Sequence, residues 1–289
     1  MSRAADARLL LERIAVAYAP ATLSSSLGAE DMVLTDMVAR EGLPIEVFTL
    51  DTGRLHAETL ELIGRVQAHY GLALRVMQPE PQAVVQYVTV HGRNAFYGSV
   101  EMRKRCCAIR KVEPLKRALE GKRAWITGLR REQSAARAGL RLAGFDTDLH
   151  IAKFNPLADW SGNDVWDYIR THKVPYNLLH DRGYPSIGCE PCTRAVEPGA
   201  DERSGRWWWE EEAKKECGLH VAEENRGRSP ISGIGFAVAL QNDLGFSGRE
   251  IHPAGKAETM EGQNRASAEI GPETMEGQNR GVARSGEGA

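Results

Sequence analysis

Apolar positions recur at helical spacing over residues 6–18, where Leu9, Leu10, Ile14 and Ala17 share one face. The pattern then shortens into apolar runs separated by turn residues. Residues 21–26 predict a short strand that ends at Gly28, and residues 30–40 predict a helix with a broad face of Met32, Val33, Asp36, Met37 and Val38. Residues 43–50 predict a second strand, 51–54 a turn, 56–70 a helix closed by Gly71, 73–77 a third strand and 124–127 a fourth. Short apolar strands alternating with helices imply βαβ units and a parallel sheet covered on both faces. Ligands of such sheets sit at the carboxyl ends of the strands, which directs attention to the loops at 24–31, 51–54 and 128–137.

The second half of the chain is less regular. Ser161 with Asp164 resembles a capping box and opens a helix over 163–172. Pro175, Gly183, Pro185, Gly188, Pro191 and Pro198 then break the chain into loops of the kind that cover a site. All Trp, Tyr and Cys residues precede residue 221. Beyond it the composition turns to Gly, Glu, Arg, Ser and Ala, with one octapeptide present twice, at 258–265 and 273–280. Two copies are too few for a solenoid, which needs at least ~3. Residues 221–289 therefore read as a low-complexity, mostly disordered tail, with local order conceivable only near 236–240.

Composition narrows the function classes. With 42% apolar and 26% charged residues, the 289-residue chain has the balance of a soluble globular protein. A formal charge of −2 offers no global attraction for nucleic acid or an anionic membrane, so any anion site must be built locally. No run approaches ~18 consecutive apolar residues, and the N-terminus lacks the pattern of a cleaved leader. The expected location is the cytoplasm, where the five cysteines are ligands or reactive thiols before they are disulfides.

Three groups of residues carry candidate chemistry. Ser24, Ser25 and Ser26 with Gly28, before a helix, offer hydroxyls and N–H groups to an anion, although serines in that position more often cap the helix. Arg130, Arg131 and Arg137 follow the fourth strand, and Arg203 and Arg206 abut Trp207, Trp208 and Trp209. Arginine clamps oxyanions bidentately, while the alternative is a solvated charged face, most plausible for Arg131 beside Glu132. Cys106–Cys107 and Cys189–Glu190–Pro191–Cys192 form two thiol pairs that suit zinc or an iron–sulfur cluster, with Lys111 one helical turn beyond Cys107. The fifth cysteine, Cys217, stands among Lys214, Lys215 and His220, cations that favour a nucleophilic thiolate over an inert buried thiol.

Residues 21–220 resemble the assimilatory sulfonucleotide reductases. The motifs occur in the family's order: Ser-Ser-Leu-Gly-Ala-Glu-Asp (25–31), Leu-Asp-Thr-Gly-Arg (50–54), Cys-Cys-Ala-Ile-Arg-Lys (106–111), Gly-Leu-Arg-Arg-Glu-Gln-Ser (128–134), Gly-Cys-Glu-Pro-Cys-Thr-Arg (188–194), Gly-Arg-Trp-Trp-Trp-Glu (205–210) and Lys-Glu-Cys-Gly-Leu-His (215–220). The resemblance implies an adenine-nucleotide α-hydrolase-like (PP-loop) α/β fold, with residues 1–220 as the catalytic domain. It implies a [4Fe-4S] cluster on Cys106, Cys107, Cys189 and Cys192, and selects the branch that prefers adenosine 5′-phosphosulfate over its 3′-phosphorylated form. It places the substrate among Ser25, Ser26, Gly28, Asp31, Leu50, Thr52, Lys111, Gly128, Arg137, Arg203, Arg206 and His220. Cys217 is then the catalytic nucleophile and thioredoxin or glutaredoxin the reductant. Leu27 stands where the commoner cluster-type loop has serine, a departure toward the 3′-phospho branch. The tail has no counterpart in the family.

Three rival readings follow from the same residues: a phosphoadenylylsulfate or dual-specificity reductase, an ATP-dependent tRNA sulfur transferase of the same fold, and a four-cysteine redox-sensing module. The absence of a basic stripe weighs against the second. A homo-oligomer is compatible with everything above.

Overall fold

The computed structural model describes residues 2–211. Helix α1 (Arg3–Ala17) begins earlier than its apolar pattern predicts, because the Ser2 hydroxyl accepts the Ala5 N–H and so caps the first turn. The alternation of strands and helices then follows: β1 (Ala21–Ser24), α2 (Ala29–Arg40), β2 (Ile45–Leu50), α3 (Ala57–Tyr70) and β3 (Arg75–Met77). Gly71 ends α3 with φ of +61°, a left-handed cap that glycine adopts without strain. Three helices not anticipated from the sequence come next: α4 (Pro81–His91), α5 (Val100–Cys107) and α6 (Glu113–Leu119). The apolar residues of α4 are largely β-branched, and Tyr87 alone in it is buried, so no clean helical stripe marks it.

The chain returns to the sheet as β4 (Ala124–Ile126), β5 (Ala143–Asp146) and β6 (Ile151–Phe154), and ends its regular structure with α7 (Gly162–His172). The Ser161–Asp164 capping box of α7 forms as expected, with the Asp164 N–H donating to Ser161 Oγ at 3.1 Å and the Ser161 N–H to Asp164 Oδ2 at 2.7 Å.

Among the described residues six strands form one sheet in the order β3-β2-β1-β4-β6-β5. Every pairing is parallel except that of β5 with β6, so the expected parallel sheet acquires one antiparallel edge. The strand order reverses between β1 and β4, and a crevice opens at such a switch point.

Successive side chains of each strand enter opposite layers. Val47, Ile126 and Phe154 join the core under α1, α2 and α7, while Phe48, Trp125 and Ile151 join a second core against α6. Each such buried side chain contributes about 1.5–3 kcal/mol. Asp36 of α2 is fully buried among these side chains and accepts hydrogen bonds from Tyr70 at 2.8 Å, Tyr168 at 2.9 Å and Arg40 at 2.7 Å. No helix among the described residues is long and apolar enough to cross a membrane.

Candidate active site

The three loops singled out by strand direction converge on one cavity. Its walls include Ser25, Ser26, Gly28 and Asp31 after β1, Leu50 and Thr52 at the end of β2, and Gly128 and Arg137 after β4, with Lys111, Arg203 and Arg206 closing it. These are all the predicted substrate residues that lie within the described chain; Cys217, His220 and the tail at 221–289 fall outside it. A roomier depression of about 1080 Å³ lies between α3 and α7 and contains none of them.

The serine loop does not cap α2. Gly28 is the N-cap and offers no side-chain bond. The Ser25 hydroxyl instead accepts the Leu27 N–H at 3.3 Å, and Leu27 adopts a left-handed φ of +62° with its side chain buried. The first turn of α2 is therefore without a serine cap, and Gly28, Glu30 and Asp31 line the cavity. Asp31 ties this loop to its neighbours: Oδ2 accepts the Ser26 N–H and hydroxyl at 2.7 and 2.6 Å, and Oδ1 accepts the Gly128 N–H at 3.0 Å. A Cβ at Gly128 would come within 2.4 Å of Asp31 Oδ1 and 3.0 Å of its backbone nitrogen, so only glycine lets the end of β4 pack on α2.

Burial pushes the Asp31 carboxyl up to about 6, the hydrogen bonds from Ser26 and Gly128 offsetting only part of that shift. The folded protein thus holds this proton up to about pH 6, whereas the unfolded chain releases it near 4. Stability from this group is present below the unfolded value and declines as pH rises between the two. Carboxyl NMR should show an Asp31 midpoint about two units above an ordinary aspartate, and Asp31→Asn should flatten the decline; a midpoint near 4 would contradict the burial argument.

The arginines separate into two kinds. Arg130 is buried and bound to Glu30 at 2.8 Å, Glu132 at 3.0 Å and Glu202 at 3.0 Å, which neutralises it as an anion clamp. Arg131 pairs with Asp159, in keeping with the charged-surface alternative. Arg137, Arg203 and Arg206 remain on the cavity wall. Arg206 donates through Nη1 to Ser186 Oγ at 3.2 Å and the Ile187 carbonyl at 3.3 Å, while its buried Nε has no partner among the described residues. Gly188 makes room for it, since a Cβ there would lie 2.3 Å from Arg206 Nη2. Gly188→Ala is therefore expected to displace the guanidinium and weaken substrate binding about tenfold, equivalent to about 1.4 kcal/mol, with the fold kept. Titration calorimetry with unchanged affinity would contradict that role.

The cysteines gather around a second, small cavity. Cys106 and Cys107 close α5, and a π-helical turn at Ala108–Val112 follows them. Cys189 precedes a short 3₁₀ turn at Glu190–Cys192, and Cys192 ends it. All four line the same cavity with Arg54, Arg103, Arg110 and Lys111, and none is in a disulfide. The Thr52 hydroxyl, from the wall of the first cavity, lies 3.2 Å from Cys189 Sγ. Burial pushes the Cys192 thiol up to about 12 and raises Cys106 as well. Among the described residues no three His, Cys, Asp or Glu side chains are arranged to hold a single metal ion.

Two residues belong to both cavities, Lys111 and Trp207. The tryptophan run resolves accordingly: Trp207 is the buried partition, while Trp209 packs edge-on against Tyr97 at 4.5 Å and Trp208 lies under Arg194 at 5.3 Å. Sequence reasoning did not single out Trp207, Ser186 or Gly188 for this site; the Gly188–Cys189 adjacency was the signal available for the last.

A family profile described as the phosphoadenosine phosphosulfate reductase domain matches residues 20–195. The chain belongs to that family. Relatives in the reductase family include the adenosine 5′-phosphosulfate reductase of Allochromatium vinosum, 54% identical over 222 residues that cover 77% of this chain and 87% of that one. The adenosine 5′-phosphosulfate reductase of Burkholderia cepacia is 57% identical over 212 residues, covering 73% of this chain and 85% of that one. The solved phosphoadenylyl-sulfate reductase of Candida auris is 28% identical with a TM-score of 0.56, over 65% of this chain and 90% of that one. The span matched by the reductase family profile contains the four paired cysteines and the serine loop, and stops before Arg203, Arg206 and Cys217.

Proposed function

We propose that this protein is an adenosine 5′-phosphosulfate reductase, which converts adenylylsulfate to sulfite and AMP in sulfate assimilation, with Cys217 as nucleophile and thioredoxin or glutaredoxin as reductant. The observation that carries the reading is the convergence of the serine loop, Lys111, Arg137, Arg203 and Arg206 on one cavity at the β1/β4 switch point. The names of its curated relatives supply the substrate.

The Cys217 thiolate attacks the sulfur of the phosphosulfate. The S–O bond to the phosphate breaks, AMP leaves with that electron pair, and Cys217 carries an S-sulfonate. Arg206, Arg203, Arg137 and Lys111 meet the charge that builds on the phosphate oxygens, and act strongly because the cavity is partly shielded from water. A thiolate of the reduced partner then attacks Cys217 Sγ and releases sulfite. Its second thiol frees Cys217 as the partner becomes a disulfide, so both electrons come from the partner dithiol.

Four soft thiols around one cavity ringed by cations fit a [4Fe-4S] cluster, whose thiolate-ligated core is net negative and needs opposite charge nearby. When bound, the cluster would supply a fixed charge and tie the end of α5 to the Cys189–Cys192 loop. The cytoplasm, where thiols stay reduced, suits this donor set.

Intact mass of anaerobically prepared protein, after exposure to each sulfonucleotide and then to reduced thioredoxin, tests the reading. An S-sulfonate from adenylylsulfate alone, removed by thioredoxin, is the expected result. An adduct from both nucleotides would favour the dual-specificity reading, which the serine loop and the Candida auris likeness support. No adduct from either would overturn the mechanism.

A further inference from the structure

Trp207 has a left-handed backbone with φ of +42°, a conformation a bulky aromatic residue rarely adopts unless its surroundings impose it. Its N–H donates to the Cys192 carbonyl at 3.1 Å and its carbonyl accepts the Glu210 N–H at 2.8 Å. The indole itself has no hydrogen bond among the described residues, although it is buried. Two guanidinium groups hold the ring instead: Arg103 Cζ lies 4.6 Å and Arg206 Cζ 4.7 Å from its centroid.

Arg103 is the fixed member of this stack. It sits on α5 with a fully buried side chain and forks onto Glu210, Nε to Oε1 at 2.9 Å and Nη2 to Oε2 at 2.7 Å. Glu210 is 2% exposed, so the pair is removed from water at both ends. The fork pins residue 210 to α5, and the Glu210 N–H to Trp207 carbonyl bond closes the turn between them. Arg206, one residue before Trp207, is held on its other side by two longer bonds, to Ser186 and Ile187, among the described residues. Neither Arg103 nor Glu210 is on the wall of the substrate cavity.

We propose that the buried Arg103–Glu210 pair is a positioning device for the reductase reaction: it locks the left-handed turn at Trp207 and thereby aims the Arg206 guanidinium at the substrate's phosphosulfate. The proposal rests on the reading of Arg206 as an anion ligand. Arg103 and Glu210 never touch substrate; they act through Trp207 and Arg206. The π-turn end of α5 and the substrate cavity are in this way linked through one tryptophan.

A double-mutant cycle tests it, read as equilibrium binding of adenosine 5′-phosphosulfate to full-length, cluster-loaded protein in a Cys217→Ser background without thioredoxin, with melting temperature measured in parallel. Glu210→Gln should weaken binding about 10-fold or more when Arg206 is present, and less than about 2-fold when Arg206 is alanine, because the two residues act in series. A purely structural role would lower the melting temperature and weaken binding by the same factor in both backgrounds; that result overturns the proposal. Should Glu210→Gln fail to fold, Arg103→Lys, which keeps the charge and gives up the fork, takes its place in the same cycle with the same two outcomes. Arg206→Ala binding substrate as well as the parent would instead sink the anion-ligand reading itself, a result visible without either partner of the pair.

Discussion

Cys217→Ser is expected to lower thioredoxin-dependent turnover at least ~10⁴-fold while leaving adenylylsulfate affinity within a factor of about two. A serine hydroxyl stays protonated near neutral pH, whereas the neighbouring Lys214, Lys215 and His220 in the sequence favour a thiolate at position 217, and oxygen is the weaker nucleophile toward sulfur. The intact-mass experiment then loses its S-sulfonate peak, and the variant serves as a substrate-binding form of the protein. The four paired thiols give the contrast: they line a cavity shared with four cations, burial raises the thiols of Cys106 and Cys192, and they are expected to stay unmodified by the sulfonucleotide. Retained turnover in the serine variant, or an adduct on one of those four, would remove Cys217 from the mechanism.

Cys192→Ala carries the second large effect. Removing one of four donors should reduce iron from about four atoms per chain to well under half of that, with the visible absorption lost in proportion. Arg54, Arg110 and Lys111 would then line a cavity without that negative centre, which should lower the melting temperature. Because Trp207 donates its N–H to the Cys192 carbonyl, the damage should spread to the Arg206 side of the partition. Elemental analysis and the visible spectrum of parent and variant decide the matter independently of activity. Zinc at one atom per chain in the parent protein would replace the cluster with a structural metal site. A variant with full iron content would exclude Cys192 as a ligand.

Much of the nucleotide-binding half was legible because its strands are short apolar runs with a turn residue behind each. Leu50, Met77 and Ile126 end their strands within a residue of the expected positions, β1 ends at Ser24, two residues short, and the strand-end rule then named the loops that meet in the cavity. Strands β5 and β6 escaped notice for a physical reason. The β6 sequence Ile-Ala-Lys-Phe is buried throughout, and the Lys153 ammonium lies over the Trp125 ring at 4.6 Å. No local pattern announces a cation–π contact with a residue far away in the chain. Arg130 illustrates the same difficulty from the other side: in sequence it looks like an anion clamp, and three carboxylates from separate segments silence it.

Local chemistry alone determined which residues could act: the identity and spacing of the cysteines, the hydroxyls before α2, the arginines beside the tryptophans, and the α/β alternation that brings strand ends together. Only the tertiary structure decided how they are grouped. Folding brought Cys106 and Cys107 of α5 to the loop of Cys189 and Cys192, placed Trp207 on the walls of two cavities, and left Arg206 rather than Arg130 on the wall of the first cavity. Ligand potential belongs to single residue types and short spacings, whereas charge pairing, burial and a left-handed turn at a tryptophan depend on partners distant in sequence, which chain order does not encode locally.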